Sequence, residues 1–149
     1  MFAARIRGGG ALTFSTTDFG YFIVLEPGDE LLRSLIRFAR EQELDSAMVT
    51  AIGSVSEVEL GTGSSRDRDQ QRNLLTESLQ TCSLAGTVTL VDGEPFPHLH
   101  GSFARSDHSV VGGHVYQAVC ETKLEVSVQT MSAEAAFTTS QSIRNGTST

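Results

Sequence analysis

EPGDELLRSLIRFAREQEL, residues 26–44, is the stretch on which the fold turns. Pro27 and Gly28 make a turn, Asp29 or its neighbour caps, and Glu30 suits the positive end of a helix dipole. Leu31, Leu32, Leu35, Ile36, Phe38 and Ala39 then recur at helical spacing, which predicts an amphipathic helix over 29–43 with one apolar face to bury. The flanking runs have a different period. Tyr21 to Leu25 (YFIVL) reads as a buried strand, and Ser46 to Ile52 (SAMVTAI) as another, closed by Gly53.

The remaining chain repeats the strand pattern. SVSEVELGTG alternates with Val55, Val58 and Leu60 among polar residues, and strands resume at 80–84 and 86–91 before a turn at Asp92-Gly93. Further strands are predicted at 98–105, 110–120 and 124–130, while 131–137 suits a second short helix or an edge strand. SSRDRDQQRN, 64–73, reads as an exposed loop. One helix against many strands joined by tight turns is an α+β domain with a mainly antiparallel sheet. The expected organisation is a flexible arm over 1–17, the domain over 18–138 and a polar tail over 139–149.

Length and composition agree with one globular domain: 149 residues, 39% hydrophobic, 19% charged. No run approaches the roughly 18 apolar residues that a membrane helix needs, and MFAARIRGGGALTF has no apolar core of a secretory signal. Cys82 and Cys120, far apart in apolar, strand-like surroundings, are expected as buried thiols rather than a disulfide, in keeping with a cytoplasmic location. The formal net charge of −7 argues against generic nucleic-acid binding, which depends on neutralising phosphates.

All four histidines fall within PHLHGSFARSDHSVVGGH, residues 97–114. In a strand, His98 and His100 share one face about 6–7 Å apart, close enough to reach one ion at the roughly 2.0–2.1 Å of Zn–N bonds. His114 is the candidate third ligand. A two-residue turn at Asp107-His108 would set it opposite Gly101, on the wrong face. One more turn residue, or a bulge at Gly112-Gly113, is expected to move it beside Ser102, onto the face of the other two. His108 is expected as a solvated turn residue. Three nitrogen ligands suit zinc, other divalent metals being possible, and leave one position open.

Several separated runs carry a family resemblance: PGDELLRSLIRFAREQELDSAMVTAIGSVSEVELG, SLAGTV, PHLHGSFARSDHSVVGGHV and ETKLEV. Over roughly 21–130 they resemble the PPC (plants-and-prokaryotes-conserved) domain. The resemblance implies an α+β fold, a homotrimer, and a metal held by the HxH and GGH histidines, here His98, His100 and His114. It also implies a DNA-associated or regulatory role, because plant relatives join the domain to AT-hooks. This chain has no AT-hook: RIRGGG lacks the proline and the Arg-Gly-Arg core. Gln80 stands where many relatives have a Glu, and the tail lacks the family's arginine-containing ending.

Two function classes follow. The first is a metal-binding, oligomeric regulatory module. Beyond the resemblance, its best support is the helical stripe Arg33, Arg37, Arg40, for which a solvated face paired with Glu30, Glu41 and Glu43 is the favoured account. Arg66, Arg68 and Arg72 are interleaved with Asp67 and Asp69. The second is a metal-dependent enzyme acting on a small carbonyl or carboxylate, since the PPC fold is distantly similar to acetolactate decarboxylase. Its acid–base and anchoring candidates are Glu125, in the apolar run LEVSV, and Arg105.

Overall fold

A computed structural model describes residues 4–5, 12–62 and 71–147, with side chains over 12–62 and 71–145. The elements run β1 (Ala4–Arg5), β2 (Thr13–Thr17), β3 (Gly20–Leu25), α1 (Leu31–Glu41), β4 (Ser46–Thr62), β5 (Gln71–Val91), β6 (Glu94–Ala104), β7 (Val110–Thr130) and α2 (Ala133–Thr147). All strand pairings are antiparallel, in the order β1-β2-β3-β7-β4-β5-β6, and β6 pairs in addition with β7. That last pairing closes β4, β5, β6 and β7 into a ring. The fold is α+β, as the periodicities require.

Strand β7 organises the sheet. One of its edges runs along β4, from Ala47↔Thr130 to Gly61↔His114. Its other edge is shared: residues 110–114 face β6, and 124–129 face β3. The space between is occupied by the turn into α1, where the Gly28 N–H donates to the Cys120 carbonyl and the Cys120 N–H to the Asp29 carbonyl, both at 2.9 Å. Glu30 is the N-cap. Its carboxylate accepts from the N–H groups of Leu32 (3.1 Å), Arg33 (2.7 Å) and Ala118 (3.2 Å). One side chain therefore caps the helix and ties it to β7.

The helix buries Leu31, Leu35, Phe38 and Ala39. Phe38 meets Phe14 and Tyr21 edge to face, each at 5.0 Å between ring centroids. Inside the ring of strands, Val58, Leu79, Leu99, Phe103 and Val115 are fully buried. Burial of this many branched and aromatic side chains is the main stabilising term.

Several boundaries differ from the sequence expectation. The arm expected over 1–17 includes β2, whose Phe14 belongs to the core together with Leu12. The two strands expected on either side of Gly53 are one strand, β4, bulged near Ile52 and Ser56. Gly53 does not end it: a Cβ there would collide with the Lys123 carbonyl, so glycine permits close backbone approach. The strands at 80–84 and 86–91 likewise merge into β5, and those at 110–120 and 124–130 into β7. The expected tail over 139–149 is helical through Thr147 as part of α2. Residues 63–70, which hold most of the expected polar loop with Arg66 and Arg68, lie outside the described residues. Asp92-Gly93 forms the expected tight turn, with positive φ at both residues (52° and 81°) and Val91 opposite Glu94.

Replacing Glu30 by Ala removes the cap and leaves the Ala118 N–H without its acceptor. Glu30→Ala is expected to lower stability by about 1–2 kcal/mol, read as a lower urea midpoint. Glu30→Gln, which keeps an acceptor oxygen, should lose less.

Candidate metal centre

Alternation along β6 turns Leu99 and Phe103 into the core and His98 and His100 outward. His114 reaches the same face through the β6–β7 hairpin. The Arg105 N–H donates to the Ser109 carbonyl (2.8 Å) and the His108 N–H to the Arg105 carbonyl (2.9 Å). Three residues, Ser106 to His108, therefore form the loop, and His108 at φ 67° takes the left-handed position that ends such loops. Asp107 Oδ1 fixes the loop by accepting from the Ser109 N–H (2.9 Å) and hydroxyl (2.6 Å), bonds that lower the Asp107 pKa.

This loop gives a register different from the expected one. His114 stands directly opposite His100, not beside Ser102, and the ladder continues unbroken through Gly101↔Gly113 and Ser102↔Gly112. The shift of face comes from the extra loop residue, and no bulge at Gly112-Gly113 separates β6 from β7. The two glycines have another role. A Cβ on Gly112 would lie 2.6 Å from the Gly101 carbonyl oxygen, and one on Gly113 would lie 2.5 Å from that of Gly61. They let three strands close in around His114.

The three imidazoles form a nearly equilateral triangle, with ring centroids 5.4 Å (His98–His100), 5.2 Å (His98–His114) and 5.2 Å (His100–His114) apart. One nitrogen from each lies within 4.8 Å of the others. Tetrahedral zinc with Zn–N bonds of about 2.0–2.1 Å needs nitrogens about 3.4 Å apart. Small side-chain rotations cover the difference, so the residues fit a divalent ion with one face open. His98 and His100 are exposed and His114 half-buried, so the open face looks to solvent.

The surroundings of His98 and His114 disfavour their charged forms. Burial, then the charges of His98, His100 and Arg72, lowers the His114 pKa from 6.5 to about 4. Desolvation, then His100, lowers that of His98. Neutral imidazole is the form that offers a lone pair to a metal.

Two neighbours were not anticipated. The Tyr116 ring lies 4.5 Å from the His114 ring, and the Arg72 guanidinium carbon lies 3.7 Å over the Tyr116 centroid. Tyr116 follows His114 by two residues, a period-2 signal that was available. Arg72 was hidden in the polar run 64–73.

The other candidates lie elsewhere. Glu125 pairs with Ile52 on β4, far along the strand from the Gly61 that faces His114, and its side chain meets Lys123 at 2.8 Å. It is neither buried nor beside the histidines. Arg105 sits at the hairpin end and is bound to Glu77 at 2.7 Å. Of the helical arginines, Arg40 pairs with Glu94 of β6 (2.5 Å) rather than with a helix glutamate. His108 is an exposed loop residue, as expected.

With this geometry in place, similarity to known proteins becomes informative. Residues 15–132 match the Plants and Prokaryotes Conserved (PCC) domain. The chain belongs to that family. A plant- and prokaryote-conserved protein of Pyrococcus horikoshii is 26% identical with a TM-score of 0.72, over 85% of this chain and 86% of that one. A metal-containing protein of Archaeoglobus fulgidus is 28% identical with a TM-score of 0.71, over 83% and 86%. A protein of Ralstonia eutropha JMP134 described as a "putative DNA-binding protein" is 25% identical with a TM-score of 0.74, over 79% and 82%. The α-acetolactate decarboxylase of Bacillus subtilis shares the fold alone, with 13% identity and a TM-score of 0.54 over 74% of this chain and 52% of that one. Among curated sequences, the bifunctional protein GlmU of Synechococcus sp. (strain JA-3-3Ab) is 37% identical over 97 residues. That match spans 64% of this chain but only 14% of the GlmU chain.

The pKa depression of His114 sets a pH dependence. Between its unfolded value of 6.5 and its folded value of about 4, the unfolded chain takes up a proton that the folded chain refuses. Metal-stripped protein should therefore lose stability as pH falls through that window, with no further loss from this group below it. Urea unfolding at pH 7 and pH 5 checks this, and the loss should be smaller in His114→Gln.

Proposed function

We propose that the chain is a zinc-binding, homotrimeric PCC module that acts in the cytoplasm as a regulatory component. The observation that carries the reading is the triangle of His98, His100 and His114, whose ligand nitrogens, from two paired strands, lie within 4.8 Å of one another. The metal-containing relative from Archaeoglobus fulgidus supports it. Free thiols at exposed Cys82 and buried Cys120 suit a reducing compartment, and no helix among the described residues is long and apolar enough to cross a membrane. Assembly has support in the apolar side chains left on the outer sheet face: Met48 and Ile52 of β4 are 50% and 56% exposed, and Phe22, two strands away on the same face, is 37% exposed. An association with DNA is carried only by the descriptions of relatives. The net charge of −7 points to a role through protein partners rather than phosphate contact.

A metal-dependent enzyme acting on a small carbonyl or carboxylate is the second reading. It is favoured by the open coordination face and by the cation and phenol that flank His114.

Purified protein is expected to hold about one zinc-like ion per chain, and His98→Ala and His114→Ala should each lose it while keeping the circular dichroism of the fold. Full metal retention in both variants would refute the ligand set. In a fluorescence anisotropy titration at low salt, duplex DNA should not bind the protein alone. Tight, salt-sensitive binding would restore direct recognition.

A further inference from the structure

Four residues stand in one row across adjacent strands: Arg72 opposite Gly61, Gly61 opposite His114, and His114 opposite His100. Gly61 has no side chain, and a Cβ there would strike the Tyr116 ring. The ring lies where that side chain would stand, in contact with His114 on one side and the Arg72 guanidinium on the other. Tyr116 is also where β7 carries an extra residue against β4, since Glu59 faces Gln117 while Leu60 faces Val115. The bulge and the glycine together hold a cation beside the histidine triangle. The guanidinium is no farther from His114 than those two ring contacts laid end to end.

We propose that Arg72, held over Tyr116, makes the open face of the triad a binding site for a small carboxylate. This rests on the metal reading above. A guanidinium beside a divalent ion is repulsive by itself and lowers metal affinity. An anion between them would reverse the sign, since a carboxylate could accept from the guanidinium while its charge also met an ion held by the three histidines. Arg suits the task better than Lys because its planar fork matches a carboxylate and stacks on an aromatic ring. A metal with a merely structural role would gain nothing from a cation placed there. The ligand class is a monocarboxylate small enough to reach both groups from solvent.

The test uses the full chain loaded with cobalt(II), whose visible bands report its coordination. Titration with acetate should shift the bands saturably, and acetamide, of the same shape without charge, should not. Arg72→Gln should bind cobalt at the same stoichiometry but acetate about tenfold more weakly, the loss of one charge-assisted hydrogen bond. Arg72→Lys should bind acetate more tightly than Arg72→Gln. Cobalt bound with no acetate response, or equal acetate affinity in the wild type and Arg72→Gln, would overturn the proposal and leave the metal site standing. Failure of the wild type to bind cobalt would overturn both.

Discussion

The direct pairing of His100 with His114 is the contact on which the rest of the site depends. In a sheet, side chains alternate faces, so a slip of one residue in β6 against β7 would send His114 into the core and Val115 out. The register is set outside the site, in the loop Ser106–His108. Asp107 accepts from Ser109, and His108 takes a left-handed conformation. The fourth histidine therefore serves the other three through its backbone rather than its ring.

The register also closes the barrel. β6 can meet β7 only because β7 divides one edge between β6 and β3, with Asp29 and Glu30 filling the interval. The helix is thus part of the same arrangement. Its N-cap holds the middle of β7, its apolar face covers Phe14 and Tyr21, and the ring of strands carries the histidines on its outer surface. A site built on strands from a closed ring is stiffer than one built on loops, and a metal triad needs that stiffness.

The sequence made the helix plain because Leu31, Leu35 and Phe38 keep a period that no strand shares. The two histidines of β6 were plain for the same kind of reason, since spacing by two fixes a common face. Long strands were harder to read. β4 changes face at its bulges and carries Gly53, so an unbroken strand looks like two. The hairpin register was recovered only in part. The need for an extra residue was visible, but the partner of His114 depends on loop dihedrals that residue types alone do not determine. Arg72 could not be found at all from local pattern, because its meaning comes from strand pairing with Gly61 and from a ring on a third strand.

The central claim is that one divalent ion sits among His98, His100 and His114. X-ray absorption at the metal edge of zinc-loaded protein tests it most directly. The account expects three imidazole nitrogens at about 2.0–2.1 Å and a lighter oxygen contribution from the open face. A sulfur shell at about 2.3 Å, or a sphere of oxygens without imidazole scattering, would contradict it.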